Sequence, residues 1–131
     1  MAHAQPTVGV HAIHHVQLPL GRVDKKPVRD FYNGLLGLLE LTHPQSHALR
    51  FLAGNQRIDL VPDDAAQPAS PISHLAFEVV GLPGLRARLL DAGYALEESR
   101  PLAGYLRFYV QDPAGNALEF LEPDDSQSQT V

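Results

Sequence analysis

Two histidines and two carboxylates recur at equivalent positions in the two halves of the sequence. His15 and His74 each occupy the third position of an Ile-x-His-apolar-x-apolar stretch. Asp59 and Glu119 each occupy the second position of a short apolar run, Ile58–Val61 and Leu118–Leu121. Imidazole nitrogens and carboxylate oxygens bind divalent first-row metals. We therefore interpret these four residues as candidate ligands of Zn, Ni, Fe, Mn or Co, and the sequence does not distinguish among these metals.

The elements around these residues repeat in the same order. Each half has an opening strand, a helix that ends near a glycine (Gly37 or Gly93), two further strands and a closing strand. The further strands are predicted at 38–42 and 48–53 in the first half and at 95–98 and 106–111 in the second. The halves span 11–61 and 72–122, and a proline-rich link, 62–71, joins them. The pattern predicts one α+β domain over 11–123, built from two βαβββ repeats with about eight strands and two helices in a curled mixed sheet. Segments 1–10 and 124–131 are predicted to be flexible termini.

Side-chain alternation along the strands places the four candidate ligands on one face. Ile58 and Leu60 are predicted to face the helices, as are Leu118 and Phe120, which turns Asp59 and Glu119 to the other side. His15 and His74 alternate in the same way. If the opening and closing strands are neighbours, the four side chains converge. A polar residue on an outer strand face is more often simply solvated, so their repeat-equivalent placement is what favours a site.

A third strand carries candidate substrate contacts. In Leu106–Gln111 and the residue before it, Leu106, Phe108 and Val110 are predicted to face inward and Tyr105, Arg107 and Tyr109 outward. Arg107 could bind a substrate carboxylate or phosphate, although a surface ion pair explains it equally well. His14 is predicted to be a core or edge residue. The remaining histidines fall in predicted tails or loops and receive no role: His3, His11, His43 and His47.

Composition excludes several classes of protein. The 131 residues carry a formal net charge of −5, which argues against nucleic acid or an anionic membrane as the main partner. Cysteine is absent, so disulfides, thiolate metal sites and cysteine nucleophiles are excluded. No apolar run is long enough to span a bilayer, and no signal peptide is visible at the start. The expected location is the cytoplasm.

Four segments together resemble the vicinal oxygen chelate superfamily, which includes glyoxalase I, bleomycin-resistance and fosfomycin-resistance proteins, and extradiol dioxygenases. These segments are IHHVQLPL, DFYNGLLGL, ISHLAFEV and RFYVQDPAGNALEFLEP, and the resemblance covers nearly all of 11–123. It implies a paired βαβββ fold whose sheets curl around a metal. It carries the ligand role onto His15, His74 and Glu119, and Asp59 falls where glyoxalase I has glutamate. The chemistry implied is chelation of adjacent substrate oxygens by a Lewis-acidic metal.

Two departures from glyoxalase I argue against a glutathione substrate. The positions of its glutathione-binding arginine and asparagine hold Pro19 and Asp63 here. The leading hypothesis is a metal-dependent, glyoxalase-like enzyme acting on a small oxygenated substrate. Asp59 and Glu119 are its candidate catalytic carboxylates, Asp59 as a fourth ligand or a proton-moving base. The alternative is a metal-free protein that binds a drug or metabolite, as bleomycin-resistance proteins do. Either protein is expected to form a homodimer, because two small sheets leave exposed edges.

Overall fold

The computed structural model describes residues 8–42, 46–63 and 73–125. The predicted flexible termini and the link 62–71 fall mostly outside these ranges, as do His3 and His43. None of the helices in the described ranges is long and apolar enough to cross a membrane.

The first half forms a four-stranded mixed sheet. Its elements are β1 (His15–Pro19), α1 (Lys25–Arg29), which continues as a π-helical segment (Asp30–Leu35), β2 (Leu39–Leu41), β3 (Leu49–Ala53) and β4 (Gln56–Val61). The strand order is β1-β4-β3-β2. β1 and β4 are parallel, and the chain between them contains the helix and the β2–β3 pair. The opening and closing strands are therefore neighbours, as the site prediction requires.

The second half repeats this arrangement with one strand fewer. Its elements are β5 (Leu75–Glu78), α2 (Leu82–Asp91), β6 (Tyr105–Gln111) and β7 (Ala117–Pro123), with the sheet order β5-β7-β6 and β5 parallel to β7. The predicted strand at 95–98 does not form, and Glu97 makes only an isolated bridge with Tyr109. The Glu97 backbone N–H and carbonyl both bond to Tyr109, and its carboxylate accepts hydrogen bonds from the backbone N–H and the hydroxyl of Ser99. Seven strands thus form in the described residues, where about eight were predicted.

The apolar faces of both sheets pack against the helices in one core. The predicted inward residues of the closing strands are buried: Ile58, Leu60, Leu118 and Phe120. Phe108 and Val110 of β6 are buried as predicted, whereas Leu106 is 38% exposed because it lies at the outer end of an edge strand. His14 is exposed and directly precedes the edge strand β1, which fits the edge alternative and not the core one. Gly37 and Gly93 have φ values of 74° and 90°, so both predicted helix stops use the left-handed conformation that favours glycine.

A buried polar network joins the halves. The Tyr32 hydroxyl donates to Asp112 Oδ2 over 2.5 Å, linking the π-helical segment to the β6–β7 turn. Asn116 Nδ2 in the same turn donates to Asp112 Oδ2 and to the carbonyl of Pro19, each over 3.0 Å. The end of β1 is therefore tied to the second half. β1 and β5 nevertheless lie at the ends of their own sheets and do not pair with each other.

Candidate functional site

The second half brings its histidine and its carboxylate into contact. His74 lies just before β5, and Glu119 lies on β7 opposite Ala76. His74 Nε2 lies 2.7 Å from Glu119 Oε1, and the Glu119 side chain is only 8% exposed. Both side chains project from the face opposite the core because Leu118 and Phe120, on either side of Glu119, point into it. One nitrogen donor and one carboxylate therefore lie together on the outer face.

The three predicted substrate-contact residues lie on β6 beside this pair. Tyr109 is opposite Glu119 in the sheet, and its ring meets the His74 ring edge-on at 5.4 Å. Arg107 Nη1 lies 3.5 Å from Glu119 Oε2, and its Nε and Nη2 donate to the carbonyl of Arg100. Tyr105, near the outer end of the strand, is opposite Pro123. Arg107 and Tyr109 thus surround the His74–Glu119 pair, and Tyr105 extends the same face.

Arg100 is a further residue of this surface that the sequence did not single out. Its guanidinium lies 4.0 Å from the centroid of the Tyr109 ring, a distance typical of a cation–π contact. Both residues line a cavity of about 560 Å³ beside β6, whose wall also includes Leu96 and Glu97. Arg100 comes from a loop, so strand periodicity carried no signal for it.

The first half holds its predicted pair differently. Asp59 on β4 accepts hydrogen bonds from Arg57 Nε and Nη2 over 2.7 and 2.9 Å, one to each carboxylate oxygen. This contact raises the pKa of the Arg57 guanidinium above its usual value. His15 on β1 lies opposite Arg57 rather than opposite Asp59, and its Nδ1 is 2.9 Å from Nδ1 of His14. Arg57 precedes Asp59 by two residues, so strand periodicity could have placed it on the same face.

Within one chain, His74 and Glu119 are in contact, whereas His15 and Asp59 bind other neighbours. Among the residues that the structure describes, no three His, Asp or Glu side chains come together as a metal would need. The expectation that all four converge is therefore not met in a single chain. The donors themselves suit a metal: His74 and Glu119 offer nitrogen and oxygen on one surface, and His15 lies exposed on an edge strand. A metal site that used both histidines would require the outer face of the first half to meet the outer face of the second.

The comparisons with known proteins agree with this architecture. The sequence matches the model of the Glyoxalase/Bleomycin resistance protein/Dioxygenase superfamily over residues 12–120. No curated protein sequence matches the chain significantly.

Solved structures of related proteins superimpose on nearly the whole chain. A glyoxalase family protein from Bacillus anthracis is 28% identical, with a TM-score of 0.81 over 91% of this chain and 100% of that one. The fosfomycin resistance protein FosX from Listeria monocytogenes is 16% identical, with a TM-score of 0.75 over 94% and 100%. Lactoylglutathione lyase from Agrobacterium tumefaciens is 20% identical, with a TM-score of 0.68 over 87% and 95%.

The last two likenesses support the fold alone. The match to the family model covers most of the chain, including all four candidate ligands. The chain belongs to the Glyoxalase/Bleomycin resistance protein/Dioxygenase superfamily.

Proposed function

We propose that the protein is a metal-dependent, glyoxalase-like enzyme that acts on a small oxygenated substrate, with a metal site shared between two copies of the chain. His15 of one copy and the His74–Glu119 pair of the other would hold the metal. The observation that carries this proposal is the 2.7 Å contact between His74 and Glu119 on an outer sheet face. The equivalent histidine of the first half, His15, lies on β1 at the edge of its sheet.

The free sheet edges support a dimer. Among the strands that the structure describes, β1 and β5 each have a partner on one side only, and exposed strand edges favour pairing with another chain. A two-fold dimer that sets β1 of one copy beside β5 of the other would create two equivalent sites. Each site would combine the outer face of a first half with the outer face of a second half. The residues that remain apart in one chain would then come together.

A bound divalent metal would supply a Lewis acid that polarises the substrate oxygens. The protein residues would position the substrate and move protons. Arg107 orients Glu119 through its Oε2 oxygen, and Tyr109 limits the movement of the His74 ring. Asp59 is the candidate base or fourth ligand, but both of its oxygens accept from Arg57. Asp59 could act only after it exchanges at least one of these hydrogen bonds.

Metal loading tests the proposal directly. Chain purified without a His tag and treated with a chelator is reloaded with Zn, Ni, Fe, Mn or Co and assayed for bound metal. We expect one metal per chain. Changes outside the ligand shell alone can weaken metal binding about 10- to 100-fold, so His74→Ala, His15→Ala or Glu119→Gln should weaken it by roughly 100-fold or more. His11→Ala, which removes an exposed histidine outside the sheets, is the matched control and should load normally. Unchanged loading in His74→Ala would refute the site.

A complementation experiment tests whether the site is shared. His15→Ala and His74→Ala chains are unfolded together and refolded as a mixture. If the site spans two copies, each mixed dimer regains one intact site, and random pairing restores about a quarter of wild-type loading. If each site lies within one chain, the mixture binds no more metal than the separate variants. Asp59→Asn, assayed in parallel, separates a ligand role, which lowers loading, from a base role, which lowers only turnover.

A metal-free binding protein is the second candidate. Its support is that the acidic partners are already satisfied within one chain, Asp59 by Arg57 and Glu119 by His74. The cavity beside Tyr109 and Arg100 offers an aromatic and cationic surface for a flat ligand. A chain that takes up no metal, yet binds such a ligand tightly and loses it in Tyr109→Ala, would favour this function over the enzyme.

A further inference from the structure

The outer face of the first sheet carries more positive than negative charge near its centre. The sheet register places Gln17, Asp59, Arg50 and Leu41 side by side across the four strands. Arg57 lies in the neighbouring row, opposite His15 on one side and Leu52 on the other. Two arginines therefore flank one carboxylate on this face. The surplus cation is notable because the whole chain has a net charge of −5.

Asp59 forms hydrogen bonds with only one of these arginines, Arg57. Its two oxygens accept from Nε and Nη2 of Arg57, the two-point geometry in which guanidinium binds carboxylate most strongly. The Asp59 side chain is 7% exposed. Asp59, the only acidic group of its row, is thus already paired with Arg57 from the neighbouring row.

Because Asp59 is paired with Arg57, the positive charge of Arg50 is not neutralised by Asp59. Its Nε atom is buried and has no hydrogen-bond partner in the part of the chain that the structure describes. Guanidinium stays protonated under all ordinary conditions, so the group cannot avoid this cost by losing its charge. A buried donor on a charged group without an acceptor is unfavourable. An acceptor from outside the chain would remove this cost.

We propose that Arg50 is an anion-binding residue and that the substrate carries a carboxylate, phosphonate or phosphate group that binds to it. The inference rests on the proposed function in one respect: it takes the face that carries His15 to be a wall of the active site. Such a group presents two oxygens at the spacing of the Nε–H and Nη–H donors. Because Nε is covered in the free chain, the Arg50 side chain must turn outward before one oxyanion can satisfy the orphan donor. The proposed substrate class is a small oxygenated acid.

Nuclear magnetic resonance of the arginine Nε–H groups tests the inference on the full chain, with inorganic phosphate and acetate as probes. Arg50→Lys identifies the Arg50 signal by its loss. We expect each probe to shift that signal saturably, together with the backbone amides of Leu41 and Asp59. Arg50→Gln removes the charge and the paired donors, so it should raise the Kd of the probe about tenfold or more. This Kd is measured from the shifts of the Leu41 and Asp59 amide signals. Arg50→Lys, which keeps the charge, should fall between the two.

Lys26→Gln is the matched control because it removes one positive charge from a side chain that is 84% exposed on α1. It should bind both probes as the wild type does. An unchanged Kd in Arg50→Gln would overturn the inference, and so would an Arg50 signal that saturating probe leaves unmoved. In the second case, an acceptor from the second copy would be the partner of Arg50, and Arg50→Gln would weaken the dimer instead.

The metal-loading assay on the same samples separates this inference from the proposed function. If the chain binds one metal but no probe at Arg50, the proposed metalloenzyme is supported and the acidic substrate is refuted. Probe binding that Arg50→Gln abolishes, in a chain that loads no metal, would leave the anion site standing and remove the metalloenzyme.

Discussion

The hydrogen bond between Tyr32 and Asp112 gives a sharp test of how the two halves are joined. The Tyr32 ring is fully buried, and its hydroxyl donates to Asp112 Oδ2 over 2.5 Å. The other donors to Asp112 are the backbone N–H groups of Ala114 and Asn116 and the Asn116 side chain. Tyr32→Phe removes one hydroxyl while keeping the ring that packs on Phe31 and Phe51.

We expect this change to destabilise the protein by about 1.5–3 kcal/mol, the usual value of a hydrogen bond to a charged group. With an unfolding entropy of about 2.1 cal/mol/K per residue over 131 residues, that loss lowers Tm by roughly 5–11 °C. The assay is thermal and urea unfolding of both proteins at one fixed chain concentration, because dimerisation would make Tm depend on concentration.

The difference between the two proteins should also depend on pH. Burial is the main cause that raises the pKa of Tyr32 well above 10, and the charge of Asp112 and its hydrogen bond act in the same direction. A group with a raised folded-state pKa contributes its full stability below the unfolded-state value, and this stability is lost as the pH rises towards the folded-state pKa. The advantage of wild type over Tyr32→Phe should therefore shrink by about 1.4 kcal/mol per pH unit above pH 10.

Two results would refute this reasoning. A Tm that falls by less than about 2 °C at pH 7 would show that the hydroxyl contributes little to joining the halves. A stability difference that stays constant or widens above pH 10 would show that the Tyr32 phenol is not held in its neutral form. Tyr94 also has a raised pKa, caused mainly by burial, but it is present in both proteins and cancels in the comparison.

Three further predictions concern other contacts. Glu122 of β7 accepts from the backbone N–H groups of Gly81 and Leu82 at the start of α2, so Glu122→Ala should cost about 1 kcal/mol in urea unfolding, with Glu122→Gln closer to wild type. Leu89→Ala removes a fully buried side chain and should cost about 2–5 kcal/mol; a smaller loss would mean that the core refills the space. Arg86→Gln breaks an exposed ion pair with Glu98 and should leave Tm within about 2 °C of wild type at physiological salt; a larger fall would show that the pair does more than a surface contact.

Most of the fold followed from periodicity and repetition. The alternation in Ile58–Val61 and Leu118–Leu121 placed the closing strands correctly, because one face of each strand is buried against the helices. Gly37 and Gly93 marked the helix ends because their backbone conformation disfavours other residues. The prediction of a strand at 95–98 was wrong. There, the side chain of Glu97 bonds to Ser99, and this local competition is not visible in the hydrophobic pattern.

The sequence predicted which residues form the candidate site, but not all of the contacts that those residues make. Strand alternation put His74 and Glu119 on one face, and the structure brings them into contact. The ion pair of Asp59 with Arg57 was missed, although the two residues share a strand face. Arg100 could not have been found in this way, because a loop residue has no periodicity and reaches Tyr109 only through the path of the folded chain.

The sequence by itself determined the two-fold repetition and the face on which the polar strand residues lie. Both follow from local patterns, since equivalent motifs recur in the two halves and side chains alternate along a strand. The structure added that the opening and closing strands of each half pair in parallel. Among the residues that the structure describes, only the tertiary structure decided that β1 and β5 lie at sheet edges, that His74 and Glu119 alone of the predicted ligands are in contact, and that the Arg50 Nε atom is left without an acceptor. These outcomes depend on how one half packs against the other, and the buried Tyr32–Asp112–Asn116 network that joins them links residues far apart in the chain.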